Sequence, residues 1–390
     1  MKKTNTYTAK TLRGLEDVLA KELEHLGAHD IVVGRRIVHF KGDKALLYRC
    51  NLNLRTALTV LKPLFKFKFN NQDQFYKELY DSRWDRFMNL EQTFAIRSTV
   101  FSDLFPHTKF PALRMKDAIA DWFRSAHNSR PNVNVEKPDI LFDLHVSNNY
   151  ATVSLDSSGE SLHKRGYRLD GWKAPLNEVL ASGLIALSGW NTRTEFIDPM
   201  CGSGTLAIEA AMRAANIPAN YRRLAFGFHN WKDYDDTLWK SVFEESVNKI
   251  NTKPNVLIKA NDRIGTAMGI CRKNATVAGV EQMIEFSTGD FSDVKPNAQK
   301  GVLLTNPPYG ERVGAADLGR LYETLGDHLK SSYNGWDAWI LSGNFEMMKK
   351  VGLRSNQKIT IFNGKLETRF VKFELYQGSR KIKRTRFDNH

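Results

Sequence analysis

Apolar and polar positions follow one rhythm in the first 160 residues and another after residue 190. The first region mixes short alternating stretches with helical spacings. A strand is predicted over 7–11, a helix over 14–23 closed by Gly27, strands over 31–33 and 37–40 around Gly34-Arg35-Arg36, and a helix over 44–50. Leu64-Phe65-Lys66-Phe67-Lys68-Phe69 puts three phenylalanines on one side of an extended segment and two lysines on the other. Helix, strand and helix follow over 72–80, 93–99 and 113–126. Strands 140–146 and 150–155 then meet at Asn148-Asn149, a hairpin signal. The region reads as α+β.

Ser157-Ser158-Gly159-Glu160 marks a junction, and a helix over 175–188 ends at Gly189. Strand and helix then alternate, with strands expected at 195–197, 256–260, 284–287, 302–305, 338–341, 358–362 and 369–375. That alternation predicts a doubly wound α/β sheet. The last two strands flank a turn holding Asn363-Gly364 and should close the sheet as an antiparallel hairpin. The pattern divides the chain into 1–44, 45–156, a linker 157–172, a catalytic region 173–379 and a basic tail 380–390.

Composition narrows the partners. At 390 residues and 42% hydrophobic, the chain is long enough for two or three cored domains. A net charge of +14 favours a polyanion, and aromatic residues at 11% supply stacking surfaces. The basic candidates for RNA contact are Lys66 and Lys68, Arg97, Lys109, and Lys164, Arg165 and Arg168 within Leu162-His163-Lys164-Arg165-Gly166-Tyr167-Arg168. Each taken singly is as well explained by a solvated face. Cys50, Cys201 and Cys271 are odd in number and far apart, which excludes a disulfide framework and a CxxC-type zinc site. No bilayer-length apolar run occurs, and a soluble cytoplasmic protein without a metal is expected.

The candidate chemistry sits at four predicted strand ends. Asp198-Pro199-Met200-Cys201-Gly202-Ser203-Gly204-Thr205 turns from strand to helix with glycines that admit a ligand against bare backbone. Only G-x-G stands where a dinucleotide fingerprint wants G-x-G-x-x-G. The preceding acid would repel a pyrophosphate and attract an ammonium, so Asp198 suits S-adenosylmethionine, with Pro199, Cys201, Gly202, Gly204 and Thr205 around it. Asp262 ends the second strand, where ribose hydroxyls would lie. Its distance along the chain from Asp198 far exceeds the ~20 residues of a simple βαβ unit, so an insertion must fill much of 216–254. Asp290 ends the third strand and suits an adenine amine, with Phe291 available against the ring. A helix cap explains any one of these acids; four polar strand ends on one sheet edge are harder to explain so. Cys201, inside a glycine turn, reads as a packing residue rather than a nucleophile.

The fourth strand ends in Thr305-Asn306-Pro307-Pro308-Tyr309. Two prolines forbid helix and ladder pairing and stiffen the turn. The Asn306 side-chain oxygen and the Pro307 carbonyl can face the two hydrogens of an exocyclic amine, Pro308 holds the turn, and Tyr309 can stack on the ring. The amine's lone pair then points at an electrophile, and positioning rather than a general base supplies the catalysis.

Together with Gly310-Glu311-Arg312, the basic segment 162–168 and Ala174-Pro175-Leu176-Asn177-Glu178, these motifs resemble the 23S ribosomal RNA guanine-N2 methyltransferase family that carries a THUMP domain. The resemblance spans nearly the whole chain. It implies a ferredoxin-like N-terminal piece, a THUMP RNA-binding domain and a class I, Rossmann-like seven-stranded methyltransferase domain using S-adenosylmethionine, acting on 23S ribosomal RNA or a large-subunit assembly intermediate. Some relatives continue into a second methyltransferase domain, whose activity is not carried over. The rival readings are an N6-adenine DNA methyltransferase, a transfer RNA guanine or glutamine amide methyltransferase, and a noncatalytic RNA-binding assembly factor.

Overall fold

The computed structural model describes residues 4–168, 175–308 and 315–376. The N-terminal elements are β1 (Asn5–Lys10), α1 (Glu16–His25), β2 (His29–Gly34), β3 (Ile37–Gly42), α2 (Lys44–Asn53), β4 (Thr59–Lys68), α3 (Gln72–Tyr80), β5 (Phe94–Phe101), α4 (Phe110–His127), β6 (Ile140–Ser147) and β7 (Tyr150–Asp156). All seven strands form one sheet in the order β2-β3-β1-β4-β7-β6-β5, antiparallel except for the β5/β6 pair. β4 pairs with β1 on one side and β7 on the other. The break expected after residue 44 therefore falls inside a continuous sheet.

The phenylalanine face of β4 turns inward. Phe69 is fully buried, and Phe65 and Phe67 pack on a core holding Phe75 and Leu79 of α3 and Met115, Ile119 and Phe123 of α4. Lys66 and Lys68 stay on the exposed side. The expected hairpin is present, with Asn148 in the left-handed region at φ 52°.

The second half continues with α5 (Glu178–Leu187), β8 (Glu195–Asp198), α6 (Thr205–Ala214), α7 (Asp236–Val247), β9 (Ile258–Asp262), α8 (Gly265–Ala278), β10 (Ile284–Thr288), β11 (Gly301–Thr305), α9 (Ala315–Ser332), β12 (Asp337–Ser342), α10 (Phe345–Lys350), β13 (Gln357–Asn363) and β14 (Leu366–Glu374). The sheet order is β10-β9-β8-β11-β12-β14-β13. Its first five strands are parallel, and β14 runs antiparallel to both β12 and β13. Gly364, at φ 64°, makes the closing turn. Leu318, Tyr322, Leu325 and Leu329 of α9 recur every three or four residues and pack on Ile197, Leu303 and Ile340.

The chain separates into two compact units that do not follow its order. One contains residues 1–170, 176–183 and 215–253; the other contains 171–175, 184–214 and 254–390. The insertion expected between the first two strands of the second sheet thus packs within the N-terminal unit. There α7 packs on α2, the Tyr48 ring meets Phe228 at 4.4 Å and Trp239 edge-on at 6.0 Å, and Asn220 Nδ2 donates to the Asn51 carbonyl at 2.9 Å. Among the described residues no helix is long and apolar enough to cross a membrane.

Candidate active site

In the second sheet the chain runs outward from β8 through β9 to β10, then returns to β11 on the other side of β8. Open α/β sheets bind ligands at such a reversal, at the carboxyl ends of the strands. Asp198 ends β8, and Asn306 follows the last residue of the neighbouring β11.

Asp198 is 1% exposed, and no cation lies within ion-pair distance of it among the described residues. Burial holds its carboxyl well above the usual carboxylate range. The Met200 N–H opposes this, the Asp262 charge adds to it, and the neighbouring Thr305 hydroxyl pulls it back. A buried acid without a counter-charge is costly to keep and suits a cationic ligand group.

The turn after Asp198 is held from two sides. Gly202 and Gly204 both have positive φ, 54° and 85°. The Gly202 N–H donates to Asp262 Oδ2 at 2.9 Å, while Asp262 Oδ1 accepts from the Ile264 N–H at 2.9 Å. A Cβ on Gly204 would sit 2.3 Å from Cys271 Sγ. Asn261, one residue before Asp262, is buried, and its Nδ2 donates to the Pro199 and Gly289 carbonyls at 3.1 and 3.0 Å. It clamps the first and third strand ends to the second. Thr205 opens α6 and is buried. Cys201 is buried against Met268, and its thiol is pushed well up by a hydrogen bond with Cys271 and by burial, an environment that suits packing better than thiolate chemistry.

Asp290 is exposed at the end of the third strand. Ser292 donates to it from backbone and hydroxyl at 2.9 and 2.6 Å, which lowers its pKa. Phe291 is 6% exposed and packs in the core cluster with Leu318 and Tyr322.

Asn306 Oδ1 is buried and has no hydrogen-bond partner among the described residues. A buried carbonyl oxygen left so costs roughly 1–3 kcal/mol, a cost a ligand N–H removes. Pro307 is buried and Pro308 exposed. Behind them, the buried Tyr322 hydroxyl reaches the Pro308 carbonyl and Ser342 Oγ. Tyr309 lies outside the described residues, as do the Gly310-Glu311-Arg312 segment and the tail 380–390.

Sequence reasoning missed Asn261 and Tyr322. A polar residue inside a buried strand and a tyrosine within a core stripe each demand a partner, and that demand was the available signal.

The proposed RNA contacts separate into two groups. Arg165 is 1% exposed and donates to the Leu162, Leu54 and Arg55 carbonyls and to Asn220; it is a structural bolt. Arg168 pairs with the buried Glu178 at 2.7 Å and bonds the Leu176 carbonyl. Arg97 pairs with the buried Asp156 at 3.5 Å, and Lys164 with Glu160 at 2.8 Å. Lys66, Lys68 and Lys109 are exposed.

Residues 165–372 match a family model described as "RMKL-like, methyltransferase domain". Residues 6–61 match an RlmL ferredoxin-like domain, and residues 69–156 a THUMP domain. A Synechocystis sp. protein, named provisionally as an RNA methyltransferase, is 37% identical over 374 residues, covering 96% of this chain and 97% of its own length. Ribosomal RNA large subunit methyltransferase K/L of Syntrophotalea carbinolica is 36% identical over 95% of this chain. The match covers 53% of that relative, so the chain spans about half the length of the K/L proteins it resembles. The crystal structure of the SMU.472 protein, a methyltransferase by its description and solved in complex with SAH, superposes with a TM-score of 0.86 at 30% identity, covering 97% of this chain and all of that one.

Proposed function

The chain belongs to the RMKL-like methyltransferase family, and from that premise we propose that it methylates the exocyclic N2 amine of a guanine in large-subunit ribosomal RNA. The acceptor is 23S RNA, naked or within an assembly intermediate in the cytoplasm. The methyl donor is S-adenosylmethionine, which when bound supplies an electrophilic methyl on a cationic sulfur.

The chain's own groups divide the remaining work. Asp198 takes the ammonium of the methionyl part, which relieves the cost of its buried charge. The Gly202–Gly204 turn leaves backbone bare for close approach. Asp262 can accept from ribose hydroxyls while keeping its two amide donors, since a carboxylate offers about four lone-pair sites. Asp290 stands where an adenine amine can donate to it. Asn306 Oδ1 and the Pro307 carbonyl take the two N–H groups of the target amine, and Tyr309 covers the base. With both hydrogens held, the nitrogen lone pair is left for the incoming methyl, and the proton departs after transfer.

The observation that carries this reading is the unsatisfied, buried Asn306 oxygen at the switch point beside Asp198. The test incubates the purified protein and labelled donor with ribosomal RNA from cells lacking the gene, with transfer RNA and DNA as rival acceptors. Label is expected in N2-methylguanine of 23S RNA. Label in adenine, in DNA or in transfer RNA alone overturns the assignment. Asn306→Ala should lower turnover about 10²–10³-fold with cofactor affinity retained.

A further inference from the structure

On the face of the N-terminal sheet opposite the buried phenylalanines, side chains line up across four strands. The register sets Lys68 beside Tyr150, Tyr150 beside Ser147 and Ser147 beside Phe101. In the adjacent row it sets Lys66 beside Thr152, Thr152 beside His145 and His145 beside Thr99. All eight are exposed or half-exposed, with Phe101 at 66% and Tyr150 at 44%. Two large aromatic rings are thus open to solvent on one face of the sheet.

Neither row contains an acid. The acids on this face lie in the rows beyond, where Asp143 is paired with Lys10 and Asp156 with Arg97. Lys41, Lys62, Lys77 and Lys164 of the same unit are each held by a carboxylate, whereas Lys66 and Lys68 have no ion-pair partner among the described residues. Lys66 instead stands 4.9 Å over the Tyr150 ring, and His145 meets Phe101 edge-on at 6.2 Å. Tyr150 and Phe101 sit on strands with one strand between them, about 10 Å apart at ordinary strand spacing. That exceeds the ~4.5–7 Å of a stacked pair, so each ring serves a different partner ring.

We infer that this four-strand face binds single-stranded RNA, one base stacking on Tyr150, another on Phe101, with Lys66 and Lys68 on phosphates. Duplex RNA hides its base faces and would leave both rings idle. An extended strand offers the alternation of flat ring and anion that the rows complement. The inference rests on the reading above only in choosing RNA, and its test uses binding rather than methyl transfer.

Full-length protein is titrated against a labelled oligouridylate, a blunt RNA duplex and anionic lipid vesicles, with melting temperature followed in parallel. Tyr150→Ala and Phe101→Ala should each weaken oligouridylate binding by about 5- to 100-fold, while Tyr150→Phe keeps it. Lys66→Gln and Lys68→Gln should each flatten the slope of log affinity against log salt by about 0.7. Alanine variants that bind oligouridylate like the parent, lose duplex affinity to the same degree, or lose only vesicle binding overturn the inference. Should an alanine variant melt early, Tyr150→Leu and Phe101→Leu, which keep bulk without an aromatic face, decide in its place. Loss of oligouridylate binding in a protein that labels no guanine would leave this surface standing and sink the acceptor reading; guanine labelling without that loss would do the reverse.

Discussion

The Tyr322 hydroxyl lies 3.4 Å from the Pro308 carbonyl oxygen, and it is buried among the core residues of α9. A chain of hydrogen bonds ends there: the Asn344 N–H donates to Ser342 Oγ at 3.1 Å, and Ser342 and Tyr322 share a hydrogen bond of 2.8 Å. Either hydroxyl can donate in that bond; when Ser342 donates to Tyr322 at 2.8 Å rather than to the Asn344 carbonyl at 3.4 Å, the tyrosine proton is free for Pro308. Tyr322 is a positioning residue for the Asn306-Pro307-Pro308 turn. Tyr322→Phe keeps the packing and removes both hydroxyl hydrogen bonds, of which the one that reaches the turn, to Pro308, is worth ~0.5–1.5 kcal/mol. Turnover should fall roughly 2- to 12-fold with cofactor affinity unchanged, as measured by separate kcat and SAH-binding experiments.

Asp198 carries an opposite tension between stability and binding. Its native pKa is raised, chiefly by burial, above its unfolded value. The native state therefore binds this proton more tightly, and the resulting stability is present at low pH and lost as pH rises through the raised pKa. Asp198→Asn should melt higher than the parent at neutral pH when free. It should also lose most SAH affinity, and in the parent that affinity should strengthen with rising pH across the same window. Calorimetric titration at several pH values checks both.

Gly204 answers two separate constraints, a φ of 85° and the Cys271 sulfur 2.3 Å from where a Cβ would stand. Gly204→Ala should abolish SAH binding. Adding Cys271→Ala clears the space but not the backbone, whose left-handed geometry still costs about 1–2 kcal/mol. The double variant should regain folding and only part of the affinity, measured by melting with and without SAH.

Arg165 belongs to stability. Its removal strands the carbonyls of Leu162, Leu54 and Arg55 in the interior. Arg165→Gln should lower unfolding free energy by about 3 kcal/mol in a denaturant titration. The salt dependence of RNA binding by the folded fraction should not change.

The turn after Asp198, the Asn306-Pro307-Pro308 stop and the closing hairpin were legible because each breaks a periodic pattern with glycine, proline or Asn-Gly. Arg165 was not legible: beside Lys164 it looks like one more surface charge, and its burial depends on Asn220, far along the chain. The packing of Phe291 was not legible for a related reason, since adjacency to Asp290 places a backbone at the strand end while the ring follows the core. The strand at 256–260 begins two residues later than its apolar run suggests, at Ile258, because pairing extends through the polar Asn261-Asp262. Nor does any period mark the aromatics Phe226, Phe228, Trp231 and Trp239 as cover for α2.

That cover arrives late. A ribosome finishes β7 at Asp156, yet the segment that shields Tyr48 is not complete until Lys253. At ordinary translation speeds the nascent N-terminal unit waits about 5–20 seconds with part of its aromatic surface wet. Growing chains stalled in that interval should draw chaperones, and an expression vector that stops at residue 172 should yield inclusion bodies rather than an isolated RNA-binding half.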